Sequence, residues 1–291
     1  MAEYLDIHCH GGGGHAFGDD VDGTLAACAA HRAHGTASVV ASLVSMPRAD
    51  LERAVGVVRE AMAREPGILG VHLEGPFLAP ERRGAHDPSA LAIPTQALVQ
   101  DIIDIVGHDL VQITIAPELP GAMDAIRAFS RAGAVVAVGH TTADAATTRA
   151  AFDAGATLLT HAFNAMAGIT GREIGPVGAA LADPRVHIEL IADGIHVDPV
   201  LIRTLFAAAP GRMVLVTDAM AAAASDPGVY SLGGLAVDVG DDGRAVLAGT
   251  HTLAGSTLTM DRAVEVCVEA GVPLVAAVAA ASAVPARLIG R

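Results

Sequence analysis

The chain has 291 residues, of which 52% are apolar and 17% charged; this suits one large α/β domain with a buried core and excludes long disorder. A formal charge of −14 is repelled by phosphate backbones and anionic lipid, so nucleic acid and membranes are excluded as partners. All 18 basic residues are Arg, and the absence of Lys rules out a Schiff-base, pyridoxal-phosphate or P-loop lysine and a carbamylated-lysine metal bridge.

In chain order, the first six residues are acidic and lack an apolar leader run, so no signal peptide is predicted. Apolar runs that read as strands follow at residues 4–7, 37–43, 68–73, 111–115, 135–138, 157–159, 188–191 and 213–216. Eight strands close a parallel barrel. Amphipathic stretches at 51–64, 122–132 and 143–154 read as intervening helices, followed by Gly67, Gly133 and Gly155 as C-terminal caps. Thr141 and Asp144 read as a capping box opening the helix that ends at Gly155. Residues 230–251, with Gly240-Asp241-Asp242-Gly243 as the turn, are predicted to form a β-hairpin inserted after the eighth strand. The Ala-rich run at 272–289 is interrupted by Pro273 and Pro285, which favours a packed helix over a membrane span. Aromatics are only 3%, so the core rests on small and β-branched side chains, as in helix-covered parallel sheets. The fold class is therefore α/β, a (β/α)8 TIM barrel in a single domain over residues 1–291, with no repeats or linkers. Cys9, Cys28 and Cys267 are far apart and odd in number, which suits a reducing cytoplasm and gives no disulfide framework.

Polar residues collect just after the strands, the face on which barrel enzymes build their sites. After the first strand, Asp6-Ile7-His8-Cys9-His10-Gly11 puts two imidazoles on one side of an extended segment and Cys9 on the other. Two converging imidazoles suit zinc or ferrous iron, and Gly11 to Gly14 let the backbone pass close by. Glu74 ends the third strand and can bridge two metal ions, the role an absent lysine cannot fill. His140 follows the fifth strand and His161 the sixth, one strand-helix step apart and so side by side on the rim. Asp218 follows the eighth strand, where a carboxylate can receive a proton from an activated water. Each signal alone is weak. Together, His8, His10, Glu74, His140, His161 and Asp218 mark a metal-dependent hydrolase.

The other histidines get blander readings. His31 and His34 are placed on the solvent face of the first helix, and His108 and His187 in loops or at strand starts. His72, inside the third strand, is expected to point away from the surroundings of Glu74. His15 either lines the site or caps the glycine loop.

The ordered series His72-Leu73-Glu74-Gly75-Pro76-Phe77 with Gly84-Ala85-His86, Ile169 to Glu173, Ala192 to His196, Val216-Thr217-Asp218 and Leu253 to Met260 resembles the N-acetylglucosamine-6-phosphate deacetylases, a family of the amidohydrolase superfamily. The resemblance runs from about Asp6 to Gly290. It implies that Glu74, His140 and His161 hold the main catalytic metal, and that His8 and His10 with Glu74 and Asp218 form a second site. One or two divalent ions are implied, zinc or iron first, manganese or cobalt otherwise. Asp218 would be the general base, and His86 would polarise the acetamide carbonyl. Arg172 and His196 would meet the phosphate from a neighbouring subunit, with Asn164, Ala165 and the segment near Leu258 contacting phosphate or sugar. The implied enzyme is a cytoplasmic homodimer acting on a phosphorylated amino sugar.

The family pattern includes a small β-sandwich domain before the first barrel strand and after the last helix; here the first strand opens at Tyr4 and the sequence ends at Arg291, so the barrel surface that domain would cover is expected to be exposed. Two rival readings stand beside deacetylation. One is another amidohydrolase, such as a D-amino-acid deacylase or a dihydroorotase-like enzyme. The other is a non-catalytic barrel remnant that acts as a binding protein.

Overall fold

The structure is a computed structural model and describes residues 3–291, so the reading of Met1 and Ala2 lies outside the described residues. The chain opens with β1 (Tyr4–Cys9), the short hairpin β2 (Gly11–Gly12) and β3 (His15–Ala16), and α1 (Val21–Ala33). Then follow β4 (Thr36–Val44), α2 (Arg48–Arg64), β5 (Ile68–Glu74), α3 (Gln96–Val106), β6 (Leu110–Ile115), α4 (Ala122–Arg131), β7 (Val135–Val138) and α5 (Ala145–Ala154). The barrel continues through β8 (Leu158–Leu159), α6 (Gly175–Ala182), β9 (His187–Ile191), α7 (Pro199–Ala208) and β10 (Met213–Val216). After it come β11 (Gly228–Leu232), β12 (Leu235–Val239), β13 (Ala245–Leu247), α8 (Met260–Glu269), α9 (Leu274–Ala280) and α10 (Ala283–Leu288).

Eight parallel strands lie in the order β1-β4-β5-β6-β7-β8-β9-β10, the (β/α)8 arrangement read from the sequence. Just past the end of β10, the backbone N–H of Asp218 donates to the His8 carbonyl at 2.8 Å, and Asp6 accepts from both N–H and hydroxyl of Thr217. These bonds bring the first and last strands together where the site is built.

Period-two alternation divides each strand between two environments. Ile7, Cys9, Leu73, Ile113, Ile115 and Leu190 are buried in the main apolar core. Their neighbours Asp6, His8, His72, Glu74, Gln112, Thr114 and Glu189 are equally buried but polar and hydrogen-bonded to one another, so they fill the barrel interior. The apolar layer between strands and helices supports the fold, which frees the upper interior for chemistry.

Several local readings need correction. The insertion after the eighth barrel strand is a three-stranded antiparallel meander rather than a hairpin, because Gly233 and Gly234 take positive φ and add a turn ahead of the one at residues 240–243. Gly133 and Gly155 take the left-handed conformation expected after a helix, whereas Gly67 does not; α2 ends at Arg64, and the N–H of Glu65 just after it donates to the Ala61 carbonyl. The cap of α5 is Asp144 alone, accepting from the Thr147 N–H, while Thr141 is drawn off to Glu118. The Ala-rich tail forms two short helices, α9 and α10, instead of one. Among the described residues no helix is long and apolar enough to cross a membrane.

Candidate metal centre and active site

Strand ends bring the six candidate ligands together, all of them buried. His8, His10, Glu74 and Asp218 form one group, and Glu74, His140 and His161 another, each with its donor atoms within 4.8 Å of one another. Glu74 belongs to both. Its Oε1 lies 3.0 Å from Nε2 of His140, 3.1 Å from that of His161 and 3.4 Å from that of His8. Its Oε2 lies 3.2 Å from Nε2 of His10 and 3.1 Å from that of His86. Asp218 Oδ1 stands 3.2 Å from His10 and 3.4 Å from His8.

For His8, His10 and His140 the far side of the imidazole decides what the near side can do. Nδ1 of His8 faces the Glu189 carboxylate at 3.0 Å, that of His10 the Ser42 carbonyl at 3.2 Å, and that of His140 the Arg82 carbonyl at 2.8 Å. These partners only accept, so in each neutral ring Nδ1 carries the proton and Nε2 offers a lone pair to the carboxylates. Nε2 of His8 is fully buried and has no hydrogen-bond partner. Lone pairs converging on carboxylate oxygens repel unless a cation sits between them, and imidazole nitrogen with carboxylate oxygen is a donor set for a divalent transition metal. The residues fit a metal.

Without a cation the same charges act on protons. Burial opposes charge on His10, yet the hydrogen bonds to Asp218 and Glu74 raise it to about 9. Burial likewise opposes charge on His8, but Glu189, Asp218 and Glu74 hold it well above the ordinary imidazole value. Burial would raise Glu74, and the surrounding imidazoles of His8 and His140 hold it well below the usual carboxylate range. Asp218 is held down by His8 and His10 despite its burial, and so stays an ionised base. Burial lowers His86, which favours the neutral ring. The Ser45 N–H, a donor only, lies 3.3 Å from Nδ1 of His86, leaving Nε2–H turned towards Glu74 and the cavity.

Local backbone makes this convergence. His140, His161 and Asp218 take φ of 47°, 21° and 49°, left-handed values that residues with a Cβ rarely adopt. Strain of this kind persists where surrounding structure enforces it, commonly at active sites. Gly75 turns the chain away at the end of β5: its φ is 92°, and a Cβ there would stand 2.2 Å from Ser45 Oγ. Only glycine fits.

Above the ligands opens a cavity of about 650 Å³. Its floor includes His10, Glu74, His140, His161, Asp218 and His86, and its walls include Arg82, Arg83, Asn164, Ala165, His196 and His251. His196 lines its own chain's cavity, with Nδ1 held 2.6 Å from Asp193. Burial would raise Asp193, but the His196 imidazole lowers it below the ordinary carboxylate value. Arg172 is exposed on the loop between β8 and α6 and does not line this cavity. Leu258 is buried and does not line it either; Leu253 and Gly255 do.

Two histidine readings are overturned. His72 does not point away from Glu74, because residues two apart on a strand share a face; its ring packs 4.4 Å from that of His8 and bonds to the hydroxyls of Ser42 and Thr114. Burial holds it well below the ordinary imidazole value. His31 is buried, with Nε2 2.9 Å from the Gly11 carbonyl and 3.3 Å from Cys9 Sγ, so it backs the His-x-His strand. His34 closes α1 and pairs with Asp261, His15 is exposed on β3, His108 is exposed and His187 opens β9. Sequence reasoning missed Glu189, Ser45, Arg82, Arg83 and His251. For Glu189 a signal was present: it is a charge inside the apolar run of β9.

The comparisons agree with this geometry. The amidohydrolase family model matches residues 4–291, and the chain belongs to the amidohydrolase family, a class of metal-dependent hydrolases. Within that class it is 40% identical over 99% of its length to an N-acetylgalactosamine-6-phosphate deacetylase of Escherichia coli O157:H7, spanning 77% of that protein. It is 37% identical, again over 99% of its length, to an N-acetylglucosamine-6-phosphate deacetylase of Danio rerio, spanning 74% of it. A mutant N-acetyl-D-glucosamine-6-phosphate deacetylase from Mycobacterium smegmatis, solved with N-acetyl-D-glucosamine-6-phosphate, superposes on the whole chain with a TM-score of 0.95 at 44% identity and 77% coverage of that structure.

Proposed function

We propose that this protein hydrolyses the N-acetyl group of N-acetyl-D-glucosamine 6-phosphate, releasing D-glucosamine 6-phosphate and acetate. The observation that carries the reading is the sharing of Glu74 between two ligand groups beneath a cavity that also receives Asp218 and His86. Its relatives bearing deacetylase names, and the structure solved with that sugar phosphate, support the choice of substrate. One barrel domain spanning the chain would carry the activity.

His8, His10, Glu74 and Asp218 would hold one divalent ion, and Glu74, His140 and His161 another. Imidazole-rich coordination favours zinc or ferrous iron, with manganese and cobalt as further occupants. Such an ion supplies a water acidic enough to act at neutral pH and a Lewis acid for the amide carbonyl. The chain's own residues do the rest. Asp218, ionised and open to the cavity, takes a proton from the attacking water as its oxygen bonds to the carbonyl carbon. His86, neutral with Nε2–H towards the cavity, donates to the carbonyl oxygen as negative charge develops there. As the C–N bond breaks, Asp218 returns the proton to the leaving nitrogen.

Asn164, Ala165 and His196 line the wall where sugar and phosphate would sit, and Asp193 fixes the His196 ring. Arg172 lies outside its own chain's cavity lining, which fits delivery into a second copy and so a homodimer. Leu258 would act indirectly, by supporting the segment from Leu253 to Gly255 that lines the cavity. Three free buried cysteines suit a cytoplasmic setting.

The test is acetate release from N-acetyl-D-glucosamine 6-phosphate, from its galactosamine epimer and from unphosphorylated N-acetylglucosamine, before and after chelation, with elemental analysis of the same sample. Turnover that disappears with the metal and returns with it supports the reading. Equal or higher kcat/KM on the epimer would reassign the sugar, and no turnover by fully loaded protein would leave a binding protein.

A further inference from the structure

Glu189 sits in the middle of β9 with its side chain completely buried. No guanidinium pairs with it among the described residues; its ion-pair partner is His8. Oε2 accepts from Nδ1 of His8 at 3.0 Å and from the backbone N–H of His161 at 3.2 Å, while Oε1 accepts from Nε2 of Gln112 at 2.7 Å. One carboxylate on the seventh barrel strand thus grips a side chain of one ligand group and the backbone of a ligand in the other. The imidazoles of His10 and His140 are held from behind by neutral carbonyls, those of Ser42 and Arg82. Among the histidines of the first group, His8 alone is backed by a full negative charge, and its Nε2 is the buried atom with no partner.

We infer that Glu189 is a positioning residue that completes the cation site of His8, His10, Glu74 and Asp218. By accepting from Nδ1 it fixes the His8 tautomer, aims Nε2 at the site and makes that nitrogen a stronger donor to a divalent cation. Through the N–H of His161 it also holds the left-handed turn that presents the second group's imidazole, so both groups are registered to one strand. The inference rests on the metal reading of this site.

Glu189→Gln removes the charge and keeps the shape. Oε1 of Gln112 has no partner, so a flip of the Gln112 amide can accept from the new NH2 while the remaining oxygen still faces His8. The experiment measures metal content per chain after dialysis and metal affinity by chelator competition, in the full chain, in Glu189→Gln and in His8→Asn. His8→Asn marks which ion belongs to the first group. Two ions are expected in the parent, with binding at the first group about 10- to 100-fold weaker in Glu189→Gln and the Glu74–His140–His161 ion retained. The metal-stripped variant should melt within about 2 °C of the stripped parent.

Equal affinity in parent and variant would overturn the inference while leaving the metal centre standing. So would a parent with a single ion, a variant that loses both, or a stripped variant that melts far lower, which would assign Glu189 to the fold. A parent that binds no divalent ion would sink the metal reading itself, and this inference with it.

Discussion

The floor of the cavity and its walls are built by different means. Every floor ligand sits at or just past a barrel strand, is buried, and is held from more than one direction. The wall residues Arg82, Asn164 and His251 sit on connecting segments and are exposed or half-buried. A rigid floor suits chemistry that tolerates little displacement, and a looser wall suits a substrate that must enter and leave. The contrast predicts that floor substitutions abolish turnover and wall substitutions change which sugar is used.

The largest effect should come from Glu74→Gln, because that carboxylate belongs to both ligand groups. Acetate release is expected to fall by at least about a thousandfold with loss of bound metal, checked by elemental analysis beside the assay. If a Glu74→Gln protein keeps its metal and most of its turnover, the floor is not organised around that residue. Asp218→Asn should come next and divide the two functions of the floor. The ion on Glu74, His140 and His161 should stay, while kcat falls by about 10²- to 10⁴-fold as the proton acceptor is lost.

The same contrast explains what could be read from sequence. Barrel strands are apolar runs between turn signals, so β7 and β10 were located to the residue, and the histidines and carboxylates at strand ends stood out against them. His72 and His31 were misplaced for definite reasons. Strand alternation puts His72 on the face of Glu74, and α1 turns His31 inward to meet the Gly11 carbonyl, a contact between residues twenty apart in sequence. Glu189 was legible as a charge within an apolar strand, yet its role depends on Gln112, His8 and His161 from three other parts of the chain. The walls carry no periodicity. Arg82, Arg83 and His251 face the cavity because of loop paths that sequence spacing does not specify.

A substitution away from the floor, at a residue proposed to meet only the phosphate, should therefore be selective. Arg172→Ala is expected to raise KM for the phosphorylated sugar about thirtyfold, corresponding to about 2 kcal/mol for a lost charged hydrogen bond, and to leave the unphosphorylated sugar unchanged. Equal rises for both would place Arg172 outside phosphate recognition. Arg172 does not line its own cavity, so in the proposed homodimer the effect should also shrink as dilution separates the subunits, which sedimentation can follow.

The smallest effect concerns the thiols packed in the layer behind the floor. Burial pushes Cys28 and Cys267 up to about 12 from an ordinary 9.0, so neither offers thiolate at neutral pH. The folded chain should react with a thiol reagent at pH 8 far more slowly than the unfolded chain, which a reagent-release assay in buffer and in denaturant would measure. The unfolded thiols give up their protons near 9 while the folded ones keep theirs, so stability is whole below about pH 9 and declines as pH rises towards about 12. Fast labelling of Cys28 or Cys267 in the native protein would show that the helix layer opens readily. The floor would then lack the rigid backing that sets it apart from the walls.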